Sequence, residues 1–140
     1  KVKGRTKYKI NWGYIACMLG VQTNAVRSEI MGLKWEDIDF KNNIIIIKRN
    51  ITDQGDFSVN EFNSDSWKKI SISKDLVDLL INYRSDTDKF VPRNSDWVFY
   101  NPATKKVLRP NALTHKWSKA LKKCNLSNIK FDDLKNFNYE

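Results

Sequence analysis

The chemistry open to this sequence is that of fixed cations meeting a polyanion. It holds 25 lysines and arginines against 16 acids, a net charge of +9, but one histidine and two cysteines. Cys17 and Cys124 stand far apart, with no Cys-x-x-Cys pair and no histidine at zinc-ligand spacing, so no zinc site is expected. They read as buried free thiols of a reducing compartment. The bases are unevenly spread. Lys1, Lys3, Arg5, Lys7 and Lys9 fall in the first ten residues with no acid among them, and residues 97 to 131 carry eight more bases and again no acid. A solvated basic face would account for one such window; two of them beside aromatic residues point toward nucleic acid.

Something must hold those cations in place, and 140 residues suffice for one ordinary domain that buries roughly two-thirds of its unfolded surface. Residues 1–10 read as a basic lead-in or linker and residues 11–140 as the domain. The missing initiator methionine and the abrupt ending at Tyr139-Glu140 suggest a fragment of something longer, truncated at the C-terminus. No apolar run approaches the ~18 residues of a membrane span and nothing resembles a signal peptide, so no membrane partner and a cytoplasmic location are expected.

Hydrophobic periodicity predicts an α+β fold, mostly helical, with a small three-stranded antiparallel sheet. Trp12, Ile15, Cys17, Met18 and Leu19 predict a buried helix ending near Gly20. Thr23 caps a second helix whose Val26, Ile30 and Leu33 face the core. Ile38 to Phe40, a Lys-Asn-Asn turn, and Ile44 to Ile47 make a β-hairpin. Arg49 to Ser66 reads as a polar, irregular loop, longer than a hairpin needs. Lys69 to Ser73 alternates as a third strand, and Ser73 caps a helix running to Tyr83 with Leu76, Val77, Leu80 and Tyr83 on one face. Asp96 to Tyr100 is a short strand before an Asn-Pro-Ala-Thr turn. Pro110 precedes a helix with Leu113, Trp117, Ala120, Leu121 and Cys124 along its inner stripe, and His115, Lys116, Lys119, Lys122 and Lys123 off it.

Residues Thr23 to Phe40, TNAVRSEIMGLKWEDIDF, resemble one segment of the tyrosine recombinase (phage integrase) catalytic domain. That segment is a Thr-Gly-Leu-Arg-x-x-Glu run followed by Leu-x-Trp-x-Asp-Ile-Asp. Glu29, Leu33, Trp35, Asp37, Ile38 and Asp39 stand in register with it. The order continues through the Leu76 to Arg84 helix, Trp97-Val98-Phe99 and the Lys119 to Cys124 helix. It ends at Phe131-Asp132-Asp133-Leu134-Lys135-Asn136, where the family has Phe-His-Asp-Leu-Arg-His. The resemblance covers essentially the whole chain after the lead-in and implies a DNA breaking-rejoining fold. It also implies double-stranded DNA as partner, other recombinase subunits on that DNA, and chemistry without metal or nucleotide cofactor.

In that family a tyrosine hydroxyl attacks a DNA phosphodiester while two arginines clamp the non-bridging oxygens and a lysine and a histidine assist with protons. Carried over to this sequence, the first arginine position is Val26. Arg27 is one residue late, and on a helix it would point about 100° away. The histidine position is Asp132, which suits a helix cap. The second arginine is Lys135, which keeps the charge but loses the two-pronged fork. The expected lysine falls near residues 62 to 66, where none stands before Lys68; Lys68 or Lys69 would serve if the loop threads differently. The Leu-Gly-His and Thr-Thr-x-x-x-Tyr segments are absent, and Tyr139 lacks the nucleophile's context.

One lost transition-state donor costs about 2.7 to 4 kcal/mol and several are lost together, so no residue is assigned as catalytic. The reading is a DNA-binding domain of a site-specific recombinase (integrase) from a mobile element, catalytically impaired or inactive as given. One alternative is an active DNA strand transferase using Arg27, Lys68 and Lys135, with its nucleophile outside this chain. Another is a non-catalytic protein-interaction subunit of a recombinase assembly. The expected DNA contacts are Lys68, Lys69, Asn111, Thr114, His115, Lys116, Lys119, Lys130 and Lys135. His115 alone reads as a surface residue, and Trp117 as core.

Overall fold

The computed structural model describes residues 12–52, 58–88, 96–101 and 106–123. Helix α1 (Trp12–Thr23) buries Ile15, Ala16, Leu19 and Gly20 and runs past Gly20 to Thr23. Thr23 continues the helix instead of capping the next one: its hydroxyl donates to the Leu19 carbonyl at 2.7 Å and accepts the Ala25 N–H at 3.1 Å. Asn24 then stops the helix in the left-handed region, φ 60°, with its N–H returning to the Gly20 carbonyl at 3.2 Å. An asparagine therefore does here what a C-terminal glycine commonly does.

Helix α2 (Arg27–Ile30) is a single turn with Val26 as its extended N-cap residue. Of the expected inward face, Ile30 and Leu33 are fully buried and Val26 is half-buried. A 3₁₀ turn at Trp35–Asp37 leads into strand β1 (Ile38–Asp39), which pairs antiparallel with β2 (Ile44–Ile47), Ile38 opposite Ile45. The predicted hairpin is present. Its turn is fixed by Asn43 at φ 59° and by Asp39, whose carboxylate accepts the Asn42 amide at 2.8 Å and the Asn42 and Lys41 N–H groups. The Asn42 bonds hold the Asp39 carboxyl below its ordinary range.

The segment after β2 departs from expectation. Past Lys48 the chain continues as β3 (Arg49–Thr52), which pairs antiparallel with β4 (Ser58–Glu61), Arg49 opposite Glu61 and Ile51 opposite Val59. A 3₁₀ turn at Ser64–Ser66 follows. The expected irregular loop is largely a two-stranded ribbon. Its alternation is real, with Arg49 and Ile51 buried between half-buried Asn50 and Thr52, but one inward residue is a charge and so the pattern reads as polar.

Strand β5 (Lys68–Ser71) completes the three-stranded antiparallel sheet in the order β1-β2-β5, with Ile45 opposite Ile70. Helix α3 (Lys74–Asp88) buries Leu76, Val77, Leu80 and Tyr83 as predicted and continues beyond Tyr83. Ser73 caps it, its hydroxyl accepting the Leu76 N–H at 3.1 Å. The Gln22 side chain fastens that cap to the end of α1 by donating to Ser73 Oγ at 3.0 Å and accepting the Ser73 N–H at 2.8 Å.

The predicted Asp96 to Tyr100 strand is split. Trp97 makes a single bridge to Lys34, and the ladder proper is β6 (Tyr100–Asn101) against β7 (Lys106–Val107). Helix α4 (Pro110–Lys123) begins on Pro110 itself, the first-turn position where a missing N–H costs nothing. Phe99, fully buried, joins these pieces: its ring centroid lies 5.9 Å from Trp12 and 6.0 Å from Tyr83, and Tyr83 in turn lies 6.2 Å from Trp35. Among the described residues no helix is long and apolar enough to cross a membrane.

Candidate nucleic-acid interface

The site is built around α2, a turn too short to stand alone. Glu29 organises it. One carboxylate oxygen accepts the Val26 N–H at 3.2 Å, closing half of a capping box that valine has no acceptor to complete. The other oxygen takes the Lys68 ammonium at 2.9 Å, tying α2 to β5. The retained glutamate of the motif is thus a structural clasp that brings a lysine from the sheet to the same turn as Arg27.

Arg27 leaves the opposite side of the turn. Its guanidinium donates to the Thr114 hydroxyl of α4, and that hydroxyl donates in turn to the Pro110 carbonyl at 3.3 Å. Val26 is extended at φ −89° and ψ 168° while Arg27 opens the helix, so a change of backbone conformation, and not only the helical 100°, separates the two residues. The structure brings Val26, Arg27, Glu29, Lys68 and Thr114 together.

Helix α4 is held in one rotation. Leu113 is fully buried, Trp117 packs on the core, Thr114 is tied to Arg27, and the Lys116 ammonium sits 5.3 Å from the centre of the Trp12 ring. The face left outward carries Asn111, His115, Ser118 and Lys119, all exposed, and Arg109 just before the helix is exposed as well. Lys116 is accordingly not on the outer face where helical spacing put it: the indole draws its half-buried stem back against α1. Lys69 is exposed on β5. Lys130, Asp132 and Lys135, with Cys124 and residues 1–10, lie outside the described residues, and the side chains of Ala120, Leu121, Lys122 and Lys123 lie outside the described side chains.

Sequence reasoning missed one ionic cluster. Arg49 and Asp37 are 3% and 1% exposed, yet both are charged. Arg49 Nη1 donates to Asp37 Oδ2 at 2.6 Å and to the Gly32 carbonyl at 2.8 Å, and Arg49 Nε donates to Glu61 Oε2 at 2.9 Å. The same Asp37 carboxylate accepts the Lys34 N–H at 2.9 Å and lies 3.4 Å from the Lys48 ammonium. Burial opposes the Arg49 charge, but the Asp37 and Glu61 carboxylates outweigh it and raise the guanidinium pKa. Asp37 stands between two further acids, Glu36 and Asp39, so no local signal marked it as the buried one.

Among the described residues no group of histidine, cysteine, aspartate and glutamate could hold a metal ion. Cys17 is a half-buried free thiol whose pKa burial pushes up to about 11, which suits packing better than nucleophilic chemistry.

A small antiparallel sheet on a helical scaffold is the mixed fold in which this chain matches solved tyrosine recombinase structures. The chain belongs to the phage integrase family, whose profile matches residues 7–137. The Tn1549 transposon integrase in complex with transposon right-end DNA aligns with a TM-score of 0.68 at 17% identity, over 94% of this chain and 45% of that one. The same integrase with a circular-intermediate DNA aligns at 0.66 and 16%, over 89% and 44%. The XerA recombinase aligns at 0.61 and 13%, over 96% and 49%. At such identities the likeness shows the fold, and the chain spans less than half the length of each structure. No curated protein matches the sequence at a significant level.

Proposed function

We propose that this chain is a DNA-binding domain of a site-specific recombinase from a mobile element, impaired in strand cleavage by the residues it presents. Its partner is double-stranded DNA, with other recombinase subunits bound alongside. The observation that carries the reading is the α2 junction. A valine whose side chain can donate nothing occupies the family's arginine position, while cations remain on both sides of the turn, Arg27 toward α4 and Lys68 toward the sheet.

Binding and cleavage have different requirements. Phosphate attraction depends on how many backbone phosphates are neutralised, and Lys68, Lys69, Arg109 and Lys119 supply charge for that, beside the polar Asn111 and His115. Cleavage needs donors aimed at the charge that develops in the transition state, and a side chain turned to Thr114 is not aimed at the place Val26 faces. The solved Tn1549 integrase structures are complexes with DNA, which supports the same partner for this fold.

Nicked duplex DNA incubated with the intact protein tests both halves. The expected result is a retarded complex on a native gel and no protein-linked strand on a denaturing gel. A covalent adduct would overturn the impairment, and an unretarded duplex at low salt would overturn the partner.

A further inference from the structure

We propose that Arg49 is a positioning residue for the interface, acting through α2 without touching DNA; the inference rests on the DNA-binding reading. One four-residue turn has no stability of its own in water, so its placement must come from its neighbours. At its start those neighbours are Glu29 with Lys68, and Arg27 with Thr114. At its end the anchor is Arg49.

Its guanidinium is 3% exposed and joins three separate elements: the Gly32 carbonyl just past α2, the Asp37 carboxylate of the 3₁₀ turn, and Glu61 of β4. No other buried side chain described reaches all three. The approach to Gly32 is close as well. A Cβ there would lie 3.3 Å from both Arg49 Cγ and the Ser28 carbonyl, tighter than most such contacts, so glycine lets the arginine stem lie against the turn. Swinging the guanidinium out of this seat would release the end of α2, and with it the direction of Arg27 and the reach of Glu29 to Lys68. Lysine cannot substitute, because one ammonium has no planar fork to serve Gly32, Asp37 and Glu61 together.

Arg49→Lys keeps the charge and removes the fork. Measured well below the melting temperature, it is expected to speed amide exchange at Met31, Gly32 and Leu33 about tenfold more than at Leu80 in α3. In a double-mutant cycle, Lys68→Gln is expected to lower the salt slope of duplex binding by about one in the wild-type background and hardly at all beside Arg49→Lys. A uniform rise in exchange, or a Lys68 effect of equal size in both backgrounds, would overturn the proposal. If Arg49→Lys does not fold, Glu61→Gln removes one partner at a residue more than half exposed and is read by the same exchange contrast. Failure of the wild type to bind duplex DNA would overturn the DNA reading, while the exchange data would still decide the role of Arg49 in placing α2.

Discussion

Asp37 offers the sharpest test of how this core is packed. Its carboxylate is fully buried and receives Arg49 at 2.6 and 3.4 Å, the Lys34 N–H at 2.9 Å, and Lys48 at 3.4 Å. Asp37→Leu leaves the Arg49 guanidinium buried without its nearest countercharge, and breaking a buried pair from one side costs about 3–5 kcal/mol. Against a typical total of about 5–15 kcal/mol this is a large loss. At this chain length it corresponds to a fall in Tm of roughly 10–15 °C. Asp37→Leu with Arg49→Met removes both charges and replaces them with apolar volume, and is expected to recover at least about 2 kcal/mol of that loss. Urea unfolding followed by tryptophan fluorescence and by far-ultraviolet circular dichroism measures all four corners of the cycle. A cost below about 1 kcal/mol for Asp37→Leu, or a double variant equal to the sum of the singles, would refute the account.

Three further outcomes are expected. Cys17 should react with a thiol reagent far more slowly than free cysteine at pH 8. Because its folded pKa is raised to about 11, its contribution to stability is complete below the unfolded value near 9.0 and is lost as pH rises through about 11; fast labelling in the folded state would contradict this. Asn43→Gly should be neutral within a few tenths of a kcal/mol while Asn43→Val costs about 1–2 kcal/mol, since only the latter strains the positive φ of 59°, as melting curves would report. Lys119→Gln should reduce the salt slope of DNA binding by about 0.9, whereas Lys116→Gln should act mainly on stability through the lost Trp12 contact, and equal slopes for the two variants would contradict the rotation assigned to α4.

The elements written in regular apolar periods were legible before folding. The β1–β2 hairpin follows from its Asn turn and its run of isoleucines, α3 from its apolar spacing and the Ser73 cap, and the Leu113 face of α4 from spacing, while the motif around Glu29 carried the fold. What escaped was fixed by single polar contacts. Thr23 has the composition of a helix cap and closes α1 instead, because Asn24 takes the left-handed turn. The β3–β4 ribbon was hidden by a buried arginine whose three acceptors come from Gly32, Asp37 and Glu61, and no local window contains them all. Lys116 turns inward for the same kind of reason: the partner that fixes it, Trp12, is on another helix. At the candidate site, the absence of arginine at position 26 was readable in sequence, but the destination of Arg27 on Thr114 was not.

DNA binding by this chain is measured most directly as the affinity for a short duplex, followed by fluorescence anisotropy from about 50 to 200 mM salt. Log affinity is expected to fall linearly with log salt, with a slope of about −3 to −5 set by Lys68, Lys69, Arg109 and Lys119, and a shallower slope when Lys69 and Lys119 are both changed to glutamine. Affinity independent of salt, or a slope unchanged in that double variant, would contradict this reading.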